Sequence, residues 1–586
     1  MRSRMLSLAL ALALFAGSPG AGAQQEIAPE QTQPQEELAP PALEPDEDAE
    51  APPARQPDRS REGAPLLHGQ LALSLEDALE MGLENNLDVQ VERYAPIIAD
   101  HDESIAWGAY DPELFSEFGY TDSKTPNANI LTQSGSGISL IDTSVIRTTD
   151  GFGGLRGQLP LLGTEYNARF DSARETTSIT INALTPELNS GWSVNITQPI
   201  LRDLIWNQPW TQVKTSRLLL ESSQEDFRRA VMDTVTAIED AYWALIAQDE
   251  ARRVAQKSLE TAKALLDQTQ TQYEVGVVSK VEVTEAEAGL SQREVNLIRA
   301  ENQYRNQQDV LINLVLGPGL RSSSTLEISP TDRPEEYVPY EIDVPTAVER
   351  AFENRPELVA ALKQIERQQV QLKFAKNQRL PSLDGVFRVS QAGIAGNPNP
   401  ETCNFTSPDD PDTIGVDENA DCRAAVAGIP QLEYGDTFDI YDDNPVYSAR
   451  ARLSIPLPNT SARHNVSRTE LELSRAETQK RRLEQSIILE VRRAARNLEA
   501  SQEGIDAARD AQRAADEQLR AERIRLEYGE STPFDVLQRE EDLVDRENEL
   551  IGAFQAYRTS VTALDRAQGT ILRNRNINIA EVGALR

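Results

Sequence analysis

Histidine is almost absent: three in 586 residues, at positions 68, 101 and 464. There is no HExxH, no Cys/His zinc spacing, no glycine-rich phosphate loop after a strand and no GxSxG elbow. No residue is therefore assigned to catalysis, to a cofactor or to a metal, and the chain does not read as an enzyme. Basic residues are scarce too, 58 against 94 acidic, and the net charge of −36 excludes nucleic acid as a partner. Long apolar runs are missing: mean hydropathy is −0.48, and no stretch after the N-terminus approaches the roughly 18 apolar residues of a spanning helix. Acid pairs such as Glu540-Glu541 and Asp442-Asp443 read as solvated faces or loop charge.

What the chain does have is a pattern written twice. LEDALEMGLENNLDV (Leu75 to Val89) returns as VPTAVERAFENRPEL (Val344 to Leu358), and QTQYEVGVVSKVEV (Gln270 to Val283) returns as RIRLEYGESTPFDV (Arg523 to Val536). Two matched pairs in the same order imply a duplicated domain, at a spacing too long for a solenoid unit. The predicted organisation is a signal peptide over 1–23, a disordered arm over 24–70, a first structural repeat over 71–330, a second over 331–575 and a tail over 576–586.

The N-terminus sets the compartment. Arg2 and Arg4 precede the apolar run Met5 to Ala16, which ends in Gly and Pro and then Ala21-Gly22-Ala23, a secretory signal too short to be a membrane anchor. No Cys lies near the cleavage site to take a lipid. The arm that follows, rich in Pro, Glu, Gln and Ala, has little to seed a core. The two cysteines, Cys403 and Cys422, share one acidic Pro/Asp/Gly-rich segment, and in an exported chain they predict a loop-closing disulfide.

Apolar residues at helical spacing predict a helix from the Ser74 cap to about Ile105, and one long helix from about Pro209 to Val275. The long helix spans roughly 100 Å at about 1.5 Å per residue. The second half repeats this over Pro345 to Gln378 and Ala462 to about Leu526, and each long helix is followed by a turn and a shorter helix, Val281 to Leu316 and Phe534 to Leu572. Thin, Ala-rich apolar faces suit antiparallel coiled-coil seams. Two short helices in series then pair with each long one, and the remaining sides call for an oligomer.

Between the helices lie β runs. Tyr447, Ala449, Ala451, Leu453 and Ile455 share one face, with Ser448, Arg450, Arg452 and Ser454 on the other. Leu383 to Ser390, Glu113 to Thr121 and Trp192 to Ile200 are the other strands, separated by polar loops over Asp122 to Asp150 and Ala392 to Asn444. The alternation fits transmembrane β-strands, and four strands per chain cannot close a barrel alone. Two further β-like stretches, Leu155 to Leu159 and Glu165 to Ser172, have no counterpart in the second half and no assigned place. A soluble periplasmic coiled-coil scaffold or adaptor with a small sheet is the alternative, and it would tolerate Asp at Ala451.

The paired openings, the NITQPILRD strand end (Asn195 to Asp203) and the turns YEVGVVSKVEV and LEYGESTPFDVLQ resemble the outer-membrane efflux protein (TolC) family over residues 71 to about 573. The resemblance implies a mainly α chain whose long antiparallel helices form an α-barrel, with four strands per subunit in a shared, trimeric, twelve-stranded β-barrel. It implies a passive exit duct of a tripartite efflux or type I secretion system in the outer membrane of a Gram-negative bacterium, extending into the periplasm. The implied partners are two further copies, outer-membrane lipid, a periplasmic adaptor and an inner-membrane pump or ABC transporter. Small-molecule efflux leads and protein secretion is the rival. The helical tips would meet the adaptor through Val275, Gly276, Val277, Ser279, Tyr528, Gly529, Ser531 and Thr532, and Glu282 and Asp535 would line the entrance. Gln538 stands where the family has a further acid, Glu282 replaces an Asp, and Ser531 stands where some members carry an Arg that bridges to it.

Overall fold

The computed structural model describes residues 68–127, 142–160, 162–179, 181–317, 325–333, 339–403 and 420–579. The predicted signal and nearly all of the arm lie outside the described residues. The chain divides into two units, one holding residues 104–214 and 370–469, the other the described residues up to 103 with 215–369 and 470 onward. Each unit takes segments from both halves of the sequence.

The helical unit is built from a pattern used twice. In the first half α1 (Leu75–Asn85) and α2 (Leu87–Trp107) precede the 67-residue α3 (Gln208–Glu274), and α4 (Lys280–Leu316) follows it. In the second, α5 (Val344–Asn354) and α6 (Pro356–Gln378) precede the 68-residue α8 (Thr460–Glu527), and α9 (Pro533–Gln568) follows it. Neither long helix contains an internal proline. Gly504 within α8 faces open space, where a glycine costs helix propensity but no packing.

The duplication extends to single hydrogen bonds. Asn86, between α1 and α2, donates Nδ2 to the Leu314 carbonyl at 3.1 Å. Arg355, at the matching break between α5 and α6, donates to the Ala567 carbonyl at 3.2 Å. Each short helix pair thus closes the end of its own tip helix, satisfying carbonyls that a helix C-terminus leaves open. The seat is tight: a Cβ on Gly317 would lie 2.0 Å from the Asn85 oxygen, and one on Gly569 would lie 2.8 Å from the Asn354 carbonyl.

Two matching cores follow. Phe227, Val231, Val235, Ile238, Tyr242 and Leu245 of α3 pack with Ala78, Leu79 and Leu83 of α1 and with Leu311 and Val315 of α4. Ile487, Val491, Ala494, Ala495 and Leu498 of α8 pack with Ala347 and Ala351 of α5 and with Phe554, Tyr557 and Leu564 of α9. The first core is capped by a parallel pair that periodicity did not reveal, β1 (His68–Leu73) and β6 (Thr325–Pro330).

The other unit carries one antiparallel sheet in the order β2-β3-β4-β5-β7-β8. Its strands are β2 (Glu113–Asn127), β3 (Asp142–Gln158), β4 (Glu165–Thr177), β5 (Leu184–Pro199), β7 (Ser382–Pro398) and β8 (Pro445–Ser454). The four expected strands are β2, β5, β7 and β8. Among the described residues this sheet has six strands where four were expected, because the two unplaced stretches form a hairpin, β3–β4, between β2 and β5. Residues 122–127 and 142–150, read from sequence as loop, are strand, and so are 392–398.

Register sorts the side chains by face. Leu114, Leu155, Ala168, Val194, Val389 and Tyr447 form one apolar row across all six strands. The next row, Glu113, Arg156, Asn167, Asn195, Arg388 and Ser448, is polar throughout and lies on the opposite face. Arg156 pairs with Glu113 at 2.7 Å. In the β7–β8 connection, Cys403 and Cys422 are joined by a disulfide, with α7 (Ala420–Ala427) around the second cysteine. Its aromatic cluster lies on the apolar face: Phe438 stacks on Phe170, and Thr437 and Tyr441 bond Ser190 at 2.6 and 2.7 Å.

Candidate functional site: the helical tips

The two turns at the ends of α3 and α8 are built alike. Gly276 has φ +80° and Gly529 φ +75°, left-handed values that terminate the helix, and a Cβ at either position would meet nothing within 4 Å. Glycine is there for its backbone, not for space. Gly276 N–H donates to Tyr273 O and Val277 N–H to Gln272 O, both at 2.9 Å. Gly529 N–H donates to Leu526 O at 3.0 Å and Glu530 N–H to Arg525 O at 2.8 Å. This paired bonding satisfies the last carbonyls of each long helix.

The next helix begins with a capping box in both halves. The Glu282 carboxylate accepts from the Ser279 N–H at 3.3 Å and hydroxyl at 3.1 Å. The Asp535 carboxylate accepts from the Thr532 N–H at 3.2 Å and hydroxyl at 2.7 Å, and Thr532 Oγ1 accepts from the Asp535 N–H at 3.3 Å. Each acid expected at the entrance is therefore bonded within its own turn. The Thr532 hydroxyl, then its backbone N–H, holds the Asp535 carboxyl below the usual range, with Ser531 and Arg525 adding to this. Ser531 donates to Glu522 and lies 3.5 Å from Asp535, while Arg525 pairs with Glu522 at 3.2 Å. A guanidinium thus sits one turn back on α8, although position 531 is a serine.

Between these ends lie exposed apolar side chains. Val275, Val277 and Tyr528 are 72%, 73% and 79% exposed, and Val281 and Phe534 are also open to solvent. Behind them Leu265, Leu519, Val536 and Leu537 form a small core joining α3, α8 and α9. Gly289 of α4 is its close neighbour, where a Cβ would lie 2.8 Å from Leu537 Cδ1. Arg293, buried on α4, donates to the Leu537 carbonyl at 3.1 Å and lies 3.6 Å from Glu541.

Glu540 departs from the sequence reading of a solvated face: it is 4% exposed and burial raises its pKa, while Glu541 stays exposed and takes the ion pair. Helical spacing held the signal, because Glu540 falls on the same side as Val536 and Leu537. Its carboxylate led the residue to be counted with the solvent.

Two long helices paired with shorter ones, turned at glycine tips, and a sheet polar on one face and apolar on the other define a channel subunit of outer-membrane type. Residues 189–315 and 347–570, more than half of the chain, match the outer membrane efflux protein family. The chain belongs to that family, whose members are outer-membrane channels of Gram-negative bacteria and not enzymes.

Solved structures agree on the fold. The Campylobacter jejuni CmeC outer membrane channel is 15% identical with a TM-score of 0.56, covering 87% of this chain and 89% of its own. VceC from Vibrio cholerae is 16% identical at a TM-score of 0.56, covering 84% of this chain and 96% of its own. The open state of the Neisseria gonorrhoeae MtrE channel is 15% identical at 0.54, covering 85% and 89%. No functionally curated protein matches the chain. The family match sets aside the soluble scaffold.

Proposed function

We propose that three copies of this chain form the passive exit duct of a tripartite efflux or type I secretion system, docked at the helical tips to a periplasmic adaptor and, through it, to an energised inner-membrane transporter. The observation that carries the docking is the exposed apolar set Val275, Val277 and Tyr528, held on two turns whose backbone groups are satisfied and whose next helices are capped. Rigid ends that display apolar side chains suit a partner rather than solvent. Glu282 and Asp535 are the proposed entrance carboxylates, and in a symmetric constriction they would favour cations over anions.

The test is a strain lacking the chain. Intracellular accumulation of an efflux dye should rise, and return to normal with the intact gene but not with Val277→Asp/Tyr528→Asp. Unchanged dye retention together with unchanged protein secretion would contradict the duct. Loss of secretion alone would select type I export.

A further inference from the structure

We infer that each chain contributes all six strands of its sheet to the membrane wall, so that three copies close an eighteen-stranded barrel; this rests on the trimeric channel proposed above. The hairpin β3–β4 is continuous with the wall. Every residue of β2, from Glu113 to Asn127, has a partner on β3, and β3 pairs with β4 from Gln158↔Glu165 to Ile146↔Thr177 without a register shift. The apolar and polar rows cross the hairpin as they cross its neighbours, so β3 and β4 already carry a face for lipid and a face for water.

The composition of β3 fits an inner position. Gly151, Gly154 and Gly157 are covered by rings from the flanking strands. On the apolar face Tyr166 of β4 lies 2.6 Å from where a Gly157 Cβ would be, and Phe118 of β2 lies 3.1 Å from that of Gly151. On the polar face Phe115 lies 2.7 Å from that of Gly154, and the Arg169 guanidinium sits 3.8 Å from the Phe152 ring centroid. A strand with so few side chains of its own holds its place through neighbours on each side.

The free edges point to a second copy. The sheet ends at β2 and β8, and an unpaired edge cannot face lipid. β2 leads away from α2 and β8 leads back to α8, so joining β8 of one copy to β2 of the next keeps the antiparallel alternation. Repetition of this joint closes a ring. Barrel diameter grows nearly linearly with strand number, so the wall is about 1.5-fold wider than with twelve strands, in the range of roughly 16–18-stranded, water-filled porins. Such a lumen passes bulky hydrated cargo, and size selection falls to the helical entrance.

The experiment uses the full-length protein, verified as a trimer by crosslinking in isolated outer membranes and then imaged by electron cryomicroscopy in nanodiscs. Eighteen strands in a section through the barrel are expected, and twelve would overturn the inference while leaving the trimeric duct intact. Absence of a membrane trimer would sink the duct itself and the barrel with it. Thiol labelling gives an independent answer, since both native cysteines are bonded and offer no competing thiol. A membrane-impermeant maleimide should label Asn167→Cys on the polar row many-fold faster than Ala168→Cys on the apolar row. Equal labelling of the two would place β4 outside the wall.

Discussion

Glu239 and Arg575 hold each other across 336 residues of sequence. The carboxylate, fully buried on α3, accepts from the Arg575 Nε at 2.6 Å and from a terminal guanidinium nitrogen at 2.9 Å, and from the Thr562 hydroxyl at 2.6 Å. Arg575 follows the short helix α10 (Ile571–Asn574) and also lies 3.5 Å from Asp565. Beside this pair Arg566 meets Asp233 at 2.6 Å and Glu357 at 3.1 Å, and Arg355 meets Glu357 at 3.1 Å. The network ties the first-half long helix to the second-half tip helix and to the α5–α6 break, fastening the two repeats by charge where each has its own apolar core.

Arg575→Met should therefore destabilise the protein by about 3–5 kcal/mol, because it leaves Glu239 buried without its cation. Pairing it with Glu239→Gln should restore part of the loss. Thermal melting of the single and double variants checks both, and an additive double variant would mean the pair is not coupled.

Asp240, next to Glu239, has one buried carboxylate oxygen without a hydrogen-bond partner. Burial, then the Glu239 charge, raises its pKa from 3.8 to about 6. A raised carboxyl pKa means the folded chain holds its proton longer than the unfolded chain, so stability falls as pH rises from about 4 to about 6. Asp240→Asn should raise the melting temperature above pH 6 and change it little below pH 4. A shift of equal size at both ends would show that the charge is not the cause.

At the tips, Gly276→Ala and Gly529→Ala should each cost roughly 1 kcal/mol of local stability through the left-handed backbone alone, since neither Cβ would clash. Hydrogen exchange of the flanking turns reads this directly. Asn at the same positions should be milder, and protection unchanged by Ala would contradict the turn geometry.

Faces of β8 should differ sharply in tolerance. Ala449→Arg places a charge on the apolar face and should cost about 2–4 kcal/mol if the site lies near the bilayer midplane, whereas Ser448→Arg on the polar face should assemble normally. Yield of heat-modifiable protein in outer membranes distinguishes them.

The long helices and their tips were legible because apolar spacing, absence of proline and two glycines each act within a few residues, whereas the helices expected from Ser74 to Ile105 and from Pro345 to Gln378 are each broken in two, at Asn86 and at Arg355. The β8 alternation was legible for the same reason. The hairpin was not: Gly151, Gly153, Gly154 and Gly157 leave β3 without an alternating pattern, and the rings that complete it come from β2 and β4. Equally hidden was the charged network, because a glutamate on a helix reads as solvated until the Arg575 partner, 336 residues away, is known. The tip acids entered through the resemblance, as entrance residues, and their capping bonds follow from Ser279 and Thr532 three residues before them.

The central claim, an integral trimeric channel, is tested most directly by heat-modifiable migration and chemical crosslinking of the protein in isolated outer membranes. A membrane-embedded trimer that shifts on heating is the predicted result. A protein recovered as a soluble periplasmic monomer or dimer would contradict it.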